Sequence, residues 1–525
     1  MSGAASPRSA TPAPVHQRQW LVGGELRQWR GPMQPVESPV LTAGAPTPLG
    51  SFPLLGEAEA LGVLAAATAA WGKGRGTWPT MTVSARIACV ERFLAGMTAA
   101  REAVVERLCW EIAKSRPDAE REFDRTVAYV RDTLAAAKEL DRASSRFQQV
   151  EGIVAQVRRA PLGVTLCMGP YNYPLNETFT TLLPALVMGN PVIVKPAKHG
   201  VLLFEPLLAP FRDAFPPGVV NTLFGDGRTV VGPVVATGQI DVLAFIGSSG
   251  VADTIRRGHP KPHRMRCVLG LEAKNVAIVT ASADLDLAVR ECLAGSLSFN
   301  GQRCTAIKLV AVARPVERAF TEKLATAIDA LVAGDPWTPG VGVTPLPGEG
   351  SVERMEAFVA DAVARGATIR NARAGRVDAT TYFPALVAPV GPSMRLWREE
   401  QFGPVVPVAV FDDVEEPLAW IRDSDHGQQA SIFARDPDEV ATLVDGLVNQ
   451  VCRVNLDSQC QRGPDVFPFT GRKDSAEGTL SVSDALRAFS IRTMVGAKDT
   501  ETNRAILGRI VRDRSSSFLS TDWLF

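Results

Sequence analysis

"NPVIVKPAKHGVLLFEPLLAPFRDAFPPGVVNTLFG", residues 190–225, decides the fold. The short β-branched run VIVK stops at Pro196, a stretch with apolar residues at helical spacing follows, and a second short run appears at VVNTL. Strand, helix, strand in that order is the unit of a parallel sheet, with the helix as crossover. The alternation continues: "TVVGPVVATG" (229–238) reads as helix, "IDVLAFIGS" (240–248) as strand, and the residues after "SSG" as another helix. Short apolar strands between helices imply a parallel α/β sheet of the nucleotide-binding kind.

Beyond Leu269 a second series begins. "VAIVTA" (276–281) and "KLVAVA" (308–313) read as strands, and "ADLDLAVRECLAGSLS" (283–298) and "VERAFTEKLATAIDALVA" (316–333) as helices. A domain boundary is therefore placed near Leu269. Upstream, residues 57–70 and 83–113 show helical spacing, and 122–142 read as a further long helix. In "IVAQVRRAPLGVTLCMGP" (153–170) the period changes, as two strands around a turn at 161–163 would give.

A chain of 525 residues is too long for one ordinary core, so two or three domains are expected. Hydrophobic residues make up 46% and charged residues 21%, the balance of a globular protein. Lys plus Arg equals Asp plus Glu, 56 each, so no overall field recruits nucleic acid or an anionic membrane. The eight cysteines show neither C-x-x-C nor a Cys/His spacing suited to zinc, so a reduced, cytoplasmic chain without a metal is expected. No apolar run reaches the roughly 18 residues of a membrane span. Residues 1–18, rich in Ala, Ser and Pro, read as a disordered tail.

Several short stretches offer chemistry, each beside a plainer reading. Cys304 follows Asn-Gly-Gln-Arg, a turn, and would sit on a loop where Arg303 favours the thiolate if the two share a pocket. Most free cysteines are small core hydrophobes, however. Asn172, in "GPYNYPLN" (169–176) at a strand end, could donate to an oxyanion or simply bond its own turn. Lys195 and Lys198 lie just past a strand, where nucleotides are commonly read and surface lysines are equally routine. "GDGRTVVG", starting at Gly225, is a loose glycine loop. "FIGSSG" (245–250), which includes Ser248, joins a strand to a helix as a phosphate loop would.

Taken in order, these segments resemble the aldehyde dehydrogenase superfamily from about Trp20 to Ala497. "FNGQRCTA" (299–306) is similar to its nucleophile loop and "REEQFGPVVPV" (398–408) to its cofactor-ribose loop. "RGPDVFPFTGRKDS" (462–475) is similar to the non-phosphorylating, NADP-dependent glyceraldehyde-3-phosphate dehydrogenases of that superfamily. The resemblance implies that Cys304 attacks the aldehyde carbon, with the Asn172 side chain and the Cys304 N–H holding the oxyanion. It assigns the nicotinamide ribose to Glu400, the adenosine ribose to Lys195 and the phosphates to the Ser248 loop. At Lys198, NAD-preferring relatives often carry Glu, which repels a 2′-phosphate. A lysine reverses that sign, by up to about 4 kcal/mol at about 4 Å before solvent screening, so NADP is expected over NAD. Tyr173, Arg303, Arg462 and the helix-borne Arg125 match a cluster that holds a substrate phosphate, the plainer reading being separate surface or salt-bridge arginines.

One motif departs from the pattern. The family base is the Glu of "ELGGK", and here "GLEAK" puts Gly270 at that position and Glu272 two residues further on. Two residues of extended chain move a side chain about 6.6 Å, whereas a general base must lie within about 3.2 Å of its water. Glu272 is thus not expected to be a like-for-like base. Three outcomes compete: slow thioester hydrolysis, transfer to a thiol such as coenzyme A, or a nucleotide-binding paralogue without turnover.

The expected fold is α/β and aldehyde dehydrogenase-like. A Rossmann-type nucleotide domain spans 19–141 and 161–269, a catalytic α/β domain spans 270–480, and a small β oligomerisation arm is formed by 142–160 and 481–497. The expected partners are a small-molecule aldehyde and further copies of the chain, as a homodimer or homotetramer. Residues 498–525 lie outside the resemblance and read as an amphipathic helix with an apolar end, a tail docked in a surface groove.

Overall fold

The computed structural model describes residues 11–523. Two sheets dominate it. The first has six strands in the order Val220–Thr222, Val192–Lys195, Thr165–Met168, Val242–Ile246, Arg266–Gly270 and Ala476–Glu477, with only the last pair antiparallel. The strand earliest in sequence, Thr165–Met168, lies between the second and the fourth. Strand order therefore reverses there, which opens a crevice at the carboxyl ends of Thr165–Met168 and Val242–Ile246. The stretch 190–225 folds as its pattern predicts: strand Val192–Lys195, helix Glu205–Ala214, strand Val220–Thr222. Its apolar positions are needed on both faces, because helices cover both sides of the sheet.

The second sheet has seven strands, with Asn275–Val279 and Ile307–Ala313 side by side near its centre. The segment 270–274 passes directly from the last parallel strand of the first sheet into the centre of the second. It is the seam between the two halves of the molecule. A third, three-stranded sheet pairs Ile153–Pro161 with Ser490–Lys498 along nine registered positions, and a hairpin adds Gln148–Val150. On its outer strand Ile491 and Met494 are exposed.

Three local readings gain detail. The helical region 83–113 is two helices, Val83–Ala99 and Arg101–Ile112, with Ala100 leaving helical geometry at ψ 4° between them. Of the expected tail, residues 1–10 lie outside the described residues, but Val15–His16 pair with Gly50–Ser51, so this part belongs to a sheet. Beyond 498 a helix, Glu501–Arg512, does form, with no buried residue. The chain after it returns to the body: Ser517 donates to the Thr80 carbonyl at 2.8 Å, Asp522 accepts from Ser84, and Lys138 lies 4.9 Å over the Trp523 ring. Leu524 and Phe525, the rest of the expected apolar end, lie outside the described residues. Among the described residues no helix is long and apolar enough to cross a membrane.

Candidate active site

The crevice at the strand reversal continues across the seam into a cavity of about 1150 Å³. Cys304, Asn172, Tyr173, Lys195, Lys198, Ser248, Glu400, Arg125, Arg303 and Arg462 all line it. Gly225 does not. It sits beside Leu55 and Val230 with φ +125°, a backbone conformation that glycine adopts freely, and the next residue, Asp226, caps the helix Gly227–Ala236. The glycine loop that starts at Gly225 thus forms a turn that opens a helix.

Cys304 lies on the loop between the short turn Ser298–Gly301 and the strand Ile307–Ala313. Asn275 fixes that loop by donating to the carbonyls of Cys304 at 2.8 Å and Ala306 at 3.0 Å. Burial, with Glu177 and Glu400 nearby, pushes the thiol up to about 11, against a smaller opposing pull from Arg462. The neighbouring Arg303 does not hold it as thiolate. Its Nη2 donates to the carbonyls of Ala294 and Gly295, at 3.2 and 2.9 Å, and its buried Nε has no partner.

Asn172 is buried and its amide donates to the Gln302 carbonyl at 2.7 Å, which ties it to the nucleophile loop two residues before the thiol. One amide N–H remains. The turn behind it is held by a fully buried ion pair, Lys114–Glu122. Lys114 also donates to the Asn172 carbonyl at 2.7 Å and lies 3.5 Å over the Tyr173 ring, while Glu122 accepts from the N–H groups of Leu175 and Asn176. Nothing in the local sequence marks Lys114 and Glu122 as supports of residues 172–176; only the fold brings them there.

The arginines come together, but already partnered. Arg125 makes a bidentate pair with Asp465, at 2.8 and 2.7 Å. Arg462 donates from Nε to Asp465 at 3.1 Å, from Nη1 to Glu177, and from Nη2 to the Leu480 carbonyl at 3.1 Å. The two cations face two anions, so Arg462 is a clamp on Glu177 and Asp465 rather than a free anion receptor. Asp465 belongs to the same "RGPD" motif and stands three residues from Arg462, so this partner was visible in the sequence.

On the opposite wall the groups are less committed. Glu400 is held near the seam because Lys274 donates to the Glu399 carbonyl and to Gln401 Oε1, at 2.8 and 2.9 Å. Burial, with Lys308 as its second neighbour, brings Lys274 down to about 7. Glu400 Oε1 is buried without a hydrogen-bond partner, and the Lys308 ammonium stands 3.6 Å away. An orphaned acceptor of this kind fits ribose hydroxyl donors. Lys195 is partly buried, Lys198 is exposed, and burial plus the Lys198 charge hold His199 down to about 4, so His199 is neutral near pH 7. The N-terminus of helix Ser249–Gly258 faces the same cavity, a natural seat for a phosphate.

Glu272 now has a role. Its carboxylate accepts from the Ser249 N–H at 2.8 and 3.1 Å, so it caps the helix of the phosphate loop from the far side of the seam. That carboxylate is therefore engaged by the helix rather than left free to act as a base. The groups of this wall fit a dinucleotide, with the Glu272 carboxylate at the helix end suited to its phosphates.

The aldehyde dehydrogenase family profile matches residues 31–495. An NADP-dependent glyceraldehyde-3-phosphate dehydrogenase of Streptococcus equinus is 31% identical over 457 residues, 86% of this chain and 92% of that one. A 3-sulfolactaldehyde dehydrogenase of Priestia aryabhattai is 30% identical over 342 residues, 64% of this chain and 70% of that one. The crystal structure of an NADP-dependent glyceraldehyde-3-phosphate dehydrogenase from Bacillus halodurans C-125, complexed with NADP, superposes with a TM-score of 0.85 at 29% identity, covering 93% of this chain and all of that one. The chain belongs to the aldehyde dehydrogenase family, oxidoreductases that act on aldehydes.

Proposed function

We propose that the protein oxidises an aldehyde with an anionic tail to the corresponding acid, through a thioester on Cys304 and with NADP as electron acceptor. The observation that carries this reading is that one cavity holds both the thiol and the dinucleotide-type wall. NADP, when bound, takes the hydride that leaves the substrate carbon. Cys304 Sγ bonds to that carbon, and the free Asn172 amide N–H, with the Cys304 backbone N–H, faces the oxygen as charge develops. Glu400 receives the nicotinamide ribose, Lys195 the adenosine ribose, and the Ser248 loop the phosphates. Lys198 offers a 2′-phosphate a positive charge where a carboxylate would repel it.

For the tail, Arg303 retains an unpartnered Nε, Arg125 retains Nη1, and Tyr173 lines the same cavity. Phosphate and sulfonate share the needed chemistry, a tetrahedral oxyanion that takes several donors. The relatives that are named for a phosphorylated and a sulfonated aldehyde support that class. The exposed Ile491 and Met494 on the arm's outer strand support a homodimer or homotetramer built on this edge.

The test is NADPH formation with glyceraldehyde 3-phosphate, 3-sulfolactaldehyde and lactaldehyde, for the native chain and for Cys304→Ala. The expected result is turnover of one of the two charged aldehydes, none with Cys304→Ala, and a higher KM for lactaldehyde and for Arg303→Leu. Equal kcat/KM for charged and uncharged aldehydes sinks the anionic-tail reading, and NADPH formation by Cys304→Ala sinks the thioester.

A further inference from the structure

We propose that Glu177 is the general base that hydrolyses the Cys304 thioester, acting on a water held in a small chamber behind the thiol. The proposal rests on the Cys304 chemistry above and supplies its second half, which the glycine at position 270 leaves without a base.

Next to the main cavity lies a chamber of about 20 Å³, walled in part by Cys304, Glu177, Gly270 and Gln428. A water needs roughly 10–15 Å³ of such space. The chamber therefore has room for about one water. Two acceptors are available to that water. Gln428 is buried, it is within hydrogen-bonding reach of the Cys304 thiol, and its Oε1 has no hydrogen-bond partner. A buried carbonyl oxygen left unpaired is unfavourable, and a water's O–H would satisfy it. The other acceptor is the Glu177 carboxylate. Arg462 fixes it through Oε2, and no described residue donates to Oε1.

The competing carboxylates are placed elsewhere. Glu272 is bonded to Ser249, and neither it nor Glu400 lines the chamber. Glu177 sits in the first turn of helix Asn176–Val187, where the helix end favours a negative charge. It is among the charges nearest the thiol.

The step balances without a further reagent. The water oxygen bonds to the thioester carbon as Glu177 takes one water proton. The tetrahedral adduct then collapses, the C–S bond breaks, and the sulfur leaves as thiolate. Glu177 returns its proton to that sulfur, so the acid product departs and both side chains are restored. Arg462, which touches neither water nor substrate in this scheme, is a positioning residue.

The plainer alternative makes Glu177 only the counter-ion of Arg462, and rapid mixing separates the two. The full chain is mixed with NADP and glyceraldehyde 3-phosphate or 3-sulfolactaldehyde, and both NADPH and the acyl adduct, by intact mass, are followed. Glu177→Gln should keep the NADPH burst amplitude while its adduct persists about 10²–10⁴-fold longer. Adding Gly270→Glu to that variant should shorten the adduct's life again; a Cβ there would meet Ile246 at 3.3 Å, a contact that small side-chain shifts accommodate. Should Glu177→Gln fail to fold, Gln428→Leu should still slow adduct decay by about tenfold, in line with the loss of one hydrogen bond. Adduct decay at the native rate in the folded variants overturns the proposal and leaves the thioester reading intact. NADPH formed by the folded Glu177→Gln variant with no adduct at any time overturns both.

Discussion

The two walls of the cavity differ in how their charges are committed. On the dinucleotide side Glu400 Oε1 accepts no hydrogen bond, with the Lys308 ammonium 3.6 Å away, and Lys198 is exposed. On the substrate side Arg125 and Arg462 are matched by Asp465 and Glu177 before any ligand arrives. The first wall awaits a ligand, whereas the second is already a closed network and owes its shape to that network. Substitutions of the paired groups Arg462, Asp465 and Glu177 should therefore act through stability and positioning, and those on the first wall through affinity.

The largest expected effect is on the closed wall. Lys114→Met leaves Glu122 as a buried, unpaired charge, which costs about 3–5 kcal/mol. Denaturant unfolding should show that loss, and a variant as stable as the native chain would mean that the network is not what holds the turn. Next is pH. With the Cys304 thiol near 11 and the thiolate as nucleophile, thiolate is scarce at pH 7 and grows about tenfold per unit as pH rises. The NADPH burst rate should therefore increase about 100-fold from pH 7 to 9. The anions Glu177 and Glu400 raise that value and Arg462 lowers it, so Glu177→Gln should move the profile towards lower pH. A flat profile would mean that a base close to the thiol takes its proton in the same step.

The open wall offers smaller effects. Lys198→Glu turns an exposed attraction into a repulsion, roughly 2 kcal/mol in total, or about 30-fold in the NADP-to-NAD affinity ratio. An unchanged ratio would remove Lys198 from cofactor choice. Smallest is Glu272→Ala. Its carboxylate stands at the helix end where a diphosphate would lie, and a charge at a helix terminus is worth about 0.3–1 kcal/mol. Removing it should tighten NADP binding by about 2–5-fold by calorimetry. Weaker binding would instead make Glu272 a support of the loop.

Legibility in the sequence followed the same division. The parallel strands were readable because both their faces are buried, so VIV (192–194) and VLAFI (242–246) appear as unbroken apolar runs. The thiol loop, Asn172 and Glu400 were readable as short contiguous motifs, and the displacement at Gly270 as a break in one. The seam's use of Glu272 was not, because its partner Ser249 is twenty-three residues away and is reached only when two sheets join. Glu177 and Gln428 were missed for a related reason. A lone Glu in a helix and a lone Gln at a strand end carry no local signal, and only the folded chain sets them around Cys304. The break at Ala100 was hidden because apolar spacing runs on through it. Asp465 lay in plain view, and the expectation of free arginines overlooked it.

The central claim is that the Cys304 sulfur becomes acylated during aldehyde oxidation. The most direct measurement is acid quenching of the native chain within its first turnover with NADP and substrate, followed by peptide mapping by mass. The account predicts an acyl mass on the peptide that carries Cys304, in step with NADPH. NADPH formed with that peptide unmodified would contradict it.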